Sequence, residues 1–209
     1  MTVRAVIKSM RPAQWTKNLF VFAALIFAQK FFVVPLLLKT AAAFIVFCVV
    51  SGAFYLFNDL RDREEDRNHP KKSQRPIARG EIAPSEALVL FFFLAAAGLT
   101  AAFFLGRGFF LAVLVYFFLQ VSYSLKLKQV VILDIFVIAA GFVIRVVAGG
   151  LVIAVPISSW LLICAYFVPG AALVLGERGS GSLPVWERGQ RGGTDGLPGV
   201  HRPGHLPHS

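Results

Sequence analysis

Asn58-Asp59-Leu60-Arg61-Asp62-Arg63-Glu64-Glu65-Asp66 comes straight after an apolar run, Pro35 to Phe57, of membrane-spanning length. These nine residues hold five of the chain's eleven acidic side chains. Asp59, Asp62 and Asp66 stand at i, i+3 and i+7, which sets them on one face of an α-helix, and Asn58 borders that face. Three carboxylates pointing the same way repel one another, so the pattern asks for a cation among them. A dense basic segment follows: Arg67, Lys71, Lys72, Arg75 and Arg79. Carboxylates suited to Mg²⁺, beside cations suited to phosphate, predict a diphosphate-handling site at a membrane surface.

Working outward, 57% of the 209 residues are hydrophobic and the mean hydropathy is +0.71. Apolar runs approaching the roughly 20 residues of a spanning helix predict an all-α, polytopic transmembrane bundle. We read about six spans, near 18–34, 35–58, 84–105, 109–123, 130–154 and 159–175. A soluble fold would have to bury nearly every helix on all sides. Cys48 and Cys164 lie in apolar runs without metal-ligand spacing and read as small core residues, not as a disulfide or a zinc site. No small-residue cleavage site follows a short apolar core near the N-terminus, so no removable signal peptide is expected.

The net charge of +10 becomes informative when placed by loop. Of 21 Lys and Arg, seventeen fall in the arm before Leu19, the 59–83 loop, the 124–129 loop and the tail. Lys30, Lys39 and Arg107 fall on the alternate side, and Arg145 inside a span. That bias predicts that the N-terminus and the acidic motif face the cytoplasm. Nucleic acid is not an expected partner, because the cations hug helix ends where membrane orientation and anionic headgroups explain most of them.

In chain order, Pro12 suits a first helical turn and Trp15 an interfacial anchor, while Gln14, Lys17 and Asn18 are more polar than anchoring needs and are candidates for a site mouth. Gly52, Tyr55 and Asp59 make a stripe expected to face the bundle. Pro70, Pro76 and Gly80 break the 67–83 segment into a shaped loop. A solvated basic loop is the plainer alternative, but Arg75-Pro76-Ile77 sets a guanidinium beside a rigid turn and an apolar pin, which suits a phosphate clamp. His69 reads as a surface or hydrogen-bonding histidine. Tyr123 with Lys126 or Lys128 either snorkels at a helix end or contacts a phosphate from the far side of the acidic helix.

The fifth span is the second anomaly. Asp134, Gly141 and Arg145 share one helical face within hydrocarbon, where each ionisable residue costs at least roughly 2.5–3.5 kcal/mol. Eleven residues of helical rise, about 16 Å, keep the two charges from pairing, so each needs another partner or a polar cavity. After Leu175 the text turns to nine Gly and four Pro in 34 positions, with no apolar run. We therefore divide the chain into a membrane domain, 1–175, and a tail, 176–209, expected to be disordered or the product of a shifted reading frame or truncated gene.

These residues resemble the UbiA superfamily of intramembrane prenyltransferases. The resemblance rests on Asn58-Asp59-x-x-Asp62-x-x-x-Asp66, on Arg75-Pro76-Ile77 with Gly80, and on Tyr123 with the lysines after it, and runs from residue 11 to about 175. Arg11-Pro12-x-Gln14-Trp15-x-Lys17-Asn18, His69-Pro70-x-Lys72 and Gly141-Phe142-x-x-Arg145-x-x-Ala148-Gly149 are most similar to its phosphoribosyl-transferring branch. Such a resemblance implies transfer of 5-phosphoribose from phosphoribosyl diphosphate to a polyprenyl (decaprenyl) phosphate, for cell-wall arabinan precursors. It implies Mg²⁺ on Asp59, Asp62 and Asp66 with Asn58 positioning the diphosphate. Lys17, Asn18, Lys72, Arg75, Tyr123, Lys126, Lys128, Asp134 and Arg145 become candidates for substrate contact. It implies about nine spans, of which this chain supplies about six. Prenyl transfer to an aromatic or haem-like acceptor, and a transporter or scaffold with a cation patch, are the alternatives; an oligomer is compatible with either.

Overall fold

The computed structural model describes residues 2–125 and 131–167, the side chains of 131–135 excepted. It is helical among those residues: α1 (Val3–Ser9), a 3-10 helix (Pro12–Phe22), α2 (Ala23–Phe27), α3 (Val34–Arg61), α4 (Arg63–Arg67), a 3-10 turn (Lys72–Gln74), α5 (Pro84–Leu105), α6 (Arg107–Leu125) and α7 (Val131–Ile153). Residues 159–167 are helical again. Four of these helices (Val34–Arg61, Pro84–Leu105, Arg107–Leu125 and, within α7, Phe136–Ile153) are long and apolar enough to cross a membrane.

Helix α3 is the axis of the bundle. Its 28 residues start on Pro35 in the first turn. At about 1.5 Å per residue they run to about 42 Å, against about 30 Å of hydrocarbon, so one end stands in the interface. That end carries Asn58 to Arg61. Val46, Phe47, Val50, Ala53 and Phe54 of α3 are buried against Phe91 of α5 and Phe109, Val113 and Tyr116 of α6. Phe47 meets the Tyr116 ring edge-on at 5.4 Å, and Phe54 meets Phe117 at 5.0 Å. Helix α5 begins at Pro84, with Glu86 accepting from the Ala83 amide at 2.9 Å. It ends at Gly106, whose φ of +141° turns the chain into α6 within one residue. The outward faces stay apolar and exposed, as on Val89, Phe92, Phe93 and Phe104 of α5, which suits contact with lipid.

The expected first span takes another form. Arg11 adopts a left-handed backbone (φ +52°), and eleven residues then run as 3-10 helix before the short α2. At about 2.0 Å per residue for the 3-10 part and 1.5 Å for α2, residues 12–27 still reach about 30 Å, the thickness of the hydrocarbon. Buried Asn18 and Val21 seat this segment against α3 and α7. The other spans follow the sequence reading to within a few residues, and the sixth is described only to 167. Cys48 is buried as expected; Cys164 is exposed, a correction, because its helix lies on the outside of the described bundle.

Candidate active site

The interfacial end of α3 runs almost unbroken into α4: the Asp62 amide donates to Asn58 O at 2.9 Å, and the Asp66 amide to Asp62 O at 2.8 Å. This continuity keeps Asp59 and Asp66 on one face, two turns apart, and both are buried, at 2% and 1% exposure. Their carboxylates converge on one cationic nitrogen. Arg75 Nη1 lies 2.5 Å from Asp66 Oδ2 and 3.2 Å from Asp59 Oδ1. Arg11 closes the cluster from the other side, donating to Asp59 Oδ1 while lying over the Tyr55 ring at 5.1 Å. Asp62, at the α3–α4 junction, is half-buried. Among the described residues no three acidic, histidine or cysteine side chains come together around a point. The geometry is thus a buried carboxylate pair held by two arginines.

The 67–83 loop that carries Arg75 is packed, not solvated. Ile77 and Ile82 are fully buried with Ala5, Leu56 and Ala87, and Arg67 Nε donates to Ala78 O at 3.3 Å. Arm and loop are tied as well, by Lys8 Nζ donating to Gln74 O at 3.2 Å. His69 is exposed and its Nδ1 accepts from the amides of Lys71 and Lys72, each at 3.2 Å. Lys72 itself stands exposed on the 3-10 turn.

Beside the cluster, deeper in the bundle, lies a second polar assembly built on Arg145 of α7, which is 6% exposed. Its Nε donates to Asn18 Oδ1 at 2.8 Å, its Nη1 to Gly141 O at 2.7 Å and its Nη2 to the Tyr116 hydroxyl at 2.9 Å. Asn18 in turn donates to Ser51 Oγ at 3.2 Å, and Gln120 Nε2 donates to the Tyr116 hydroxyl at 2.8 Å. This network borders a cavity of about 170 Å³ whose wall includes Lys17, Asn58, Tyr116, Gln120, Tyr123 and Arg145. Asn58 accepts from the Ser124 hydroxyl, tying α3 to the end of α6.

Asn58, Asp59, Asp66, Arg75, Lys17, Asn18, Tyr123 and Arg145 are therefore brought to one end of the bundle. Lys126 and Lys128 lie outside the described residues, as does the side chain of Asp134. Sequence reasoning did not single out Arg11, Tyr116, Gln120 or Ser124 as site residues. For Gln120 a signal existed, since it stands i+4 from Tyr116 on α6; for Arg11 the partner is 48 residues away.

Residues 18–176 match the UbiA prenyltransferase family. The chain is 38% identical over 169 residues to a decaprenyl-phosphate phosphoribosyltransferase of Mycolicibacterium smegmatis, covering 79% of this chain and 53% of that protein. It is 35% identical over 190 residues to a decaprenyl-phosphate phosphoribosyltransferase of Mycobacterium tuberculosis H37Rv, covering 89% and 62%. Between about half and three-fifths of these relatives' length is thus spanned. Among solved structures, a UbiA homolog from Archaeoglobus fulgidus bound to GPP and Mg²⁺ superposes with a TM-score of 0.68 at 22% identity, over 81% of this chain and 61% of that one. At that identity what is shared is the membrane fold.

Proposed function

The chain belongs to the UbiA prenyltransferase family, and from that premise we propose that it serves Mg²⁺-dependent transfer of 5-phosphoribose from phosphoribosyl diphosphate to a polyprenyl phosphate. The observation that carries this reading is the buried pair Asp59 and Asp66 closing on one cationic nitrogen, flanked by two arginines. Hard carboxylate oxygens that converge on a cation fit Mg²⁺, which takes one or two carboxylates and completes its shell with substrate phosphate and water. Asp59 and Asp66 would hold the ion; Asp62, expected as a third ligand from its helical spacing, does not converge with them around one point, because it sits at the α3–α4 junction. When bound, it supplies neutralisation of the charge that builds on the departing diphosphate.

The chain's own groups do the rest. Arg11 and Arg75 present guanidinium forks matched to phosphate oxygens, and Lys72 adds charge at the rim. Asn58, fixed by Ser124, sits between the carboxylates and the cavity and orients the donor. Lys17 and Arg145 contact the substrate from the cavity wall and Asn18 positions Arg145, with Asp134 a further candidate for substrate contact by its helical spacing. Tyr123, Lys126 and Lys128 steer the lipid phosphate arriving from the membrane. A lipid phosphate oxygen forms the new bond to the anomeric carbon as the bond to diphosphate breaks, the electron pair leaving with the diphosphate. A phosphate monoester is already largely dianionic near pH 7, with a second pKa of about 6, so no strong general base is needed.

The test is transfer of label from ribose-labelled phosphoribosyl diphosphate into lipid in membranes carrying this chain. Label should enter a polyprenyl phosphate product with release of diphosphate and stop with EDTA, and Asp59→Asn and Asp66→Asn should each lose at least about a hundredfold in rate, of the order of removing a preorganised charge. The rival is prenyl transfer, favoured by the prenyl diphosphate in the A. fulgidus homolog. Label entering an aromatic acceptor from a prenyl diphosphate, with none from the sugar donor, would replace our reading with that one.

A further inference from the structure

We propose that the cavity between Lys17 and Arg145 is a binding site for a phosphate monoester, separate from the Asp59–Asp66 site that takes the diphosphate. The inference rests on the preceding reading for its neighbour, but its own argument begins with an unbalanced charge. Arg145 is all but buried, and each of its three nitrogens donates to a neutral oxygen: an amide of Asn18, the carbonyl of Gly141, the hydroxyl of Tyr116. Neutral acceptors, with the faces of Tyr116, Phe142 and Phe47 at 4.8, 5.7 and 5.8 Å, offset part of the cost of burying that charge but supply no formal negative charge to neutralise it. No carboxylate pairs with Arg145 among the described residues, and Asp134 on the same helix is about 16 Å away by helical rise. Among the described residues, then, this fixed cation faces no anionic side chain.

Lys17 adds a second positive charge to the same wall. Two cations facing one space, with hydroxyl and amide donors from Tyr116, Gln120 and Asn58, suit a dianion with three free oxygens. The described side chains of the wall are cationic, neutral polar or apolar, whereas the described carboxylates that converge are Asp59 and Asp66, where a metal-bound diphosphate fits better. Size points the same way. About 170 Å³ is well under the roughly 300–1,000 Å³ of pockets that enclose drug-sized ligands, so the space takes a compact polar group and not a polyprenyl chain. Gly141 keeps that space open at its base, since a Cβ there would stand 3.2 Å from Arg145 Nη1. Position completes the argument: Asn58 in the cavity wall immediately precedes Asp59, so one donor with a phosphate at each end would reach both sites.

The chemistry is that of a monoester from either of two sources, the sugar donor or the acceptor lipid. The whole chain, purified in nanodiscs, should be titrated with inorganic diphosphate plus Mg²⁺, with ribose 5-phosphate in EDTA, and with farnesyl phosphate in EDTA. We expect ribose 5-phosphate to bind without metal, and Arg145→Gln and Lys17→Met each to weaken it at least tenfold while leaving Mg²⁺-diphosphate within twofold. Asp59→Asn should show the reverse pattern. Tenfold losses confined to farnesyl phosphate would keep the monoester site and assign it to the acceptor. Unchanged binding of both monoesters in Lys17→Met, an exposed position safe for folding even where Arg145→Gln is not, would overturn the proposal, as would equal competition by benzoate. A diphosphate affinity insensitive to Asp59→Asn would instead overturn the reading of the neighbouring site and leave this one standing.

Discussion

Asn18 shows how a buried cation constrains the residues around it. Its Oδ1 is the acceptor for Arg145 Nε and its Nδ2 donates to Ser51, so Asn18→Ala removes both bonds and leaves a buried charged donor without that acceptor. Such a loss costs about 1–3 kcal/mol or more. Thermal unfolding in detergent should show a lower midpoint for Asn18→Ala than for Thr16→Ala, an exposed neighbour whose hydroxyl bonds only Ala13 O. Gly149 is constrained by space instead of charge. A Cβ there would fall 2.0 Å from the carbonyl oxygen of Val21, and backbone cannot swing aside as a side chain can. Gly149→Ala should therefore abolish the monodisperse peak on size exclusion, while Gly98→Ala, which meets only a Val50 methyl at 2.5 Å, should retain part of it. Asp59, Asp66 and Arg145 were legible in the sequence because helical spacing and the cost of charge in hydrocarbon single them out. Arg11, Tyr116 and Asn18 were not tied to them, because those contacts bridge 48, 29 and 127 residues and no periodicity reports a contact of that range.

Among elements, the 67–83 loop decides whether Arg75 is a clamp or a tether. Pro and Gly placement announced a shaped loop, but not that Ile77 and Ile82 would be fully buried under α1. That burial depends on how the N-terminal arm folds back, which residues 67–83 do not encode. Truncating Ile77 to Ala leaves a hole at the point where arm, loop and α3 meet, and a large-to-small change of that kind costs about 2–5 kcal/mol. The loop should then open locally: trypsin should cut after Lys71, Lys72 or Arg79 several times faster in Ile77→Ala, with cleavage elsewhere unchanged. Unchanged rates would mean that the Arg75–Asp66 and Lys8–Gln74 contacts hold the loop without the isoleucine. The 3-10 run at Pro12–Phe22 was the element the sequence hid. Its apolar residues fit an α-helical span equally well, and what selects the tighter form is tertiary: the left-handed Arg11, pinned by its own contact with Asp59, and the seating of Asn18 and Val21.

At the scale of the molecule, a multi-pass membrane protein follows from four helices of spanning length and from the family, and its orientation is argued from charge. The loop with seven cations and the arm meet at the carboxylate cluster, while the α5–α6 turn at Gly106 lies one span away and carries Arg107 alone. Because α5 crosses from one to the other, residues 71 and 107 must lie on opposite faces whatever the absolute sense. With Cys48 and Cys164 changed to Ser, Lys71→Cys should react with an impermeant maleimide only in inverted vesicles, and Arg107→Cys only in intact cells. Both lysine and arginine sites are exposed and open a helix or loop, so neither substitution disturbs packing. Labelling of both from one side would remove α5 as a span; the two patterns exchanged would place the carboxylate cluster outside. A charged sugar diphosphate on the cytoplasmic side could not then reach Asp59, and the donor-binding reading would fail with the topology, because Arg75, which meets Asp59 and Asp66, stands in the same loop whose charge argues the orientation.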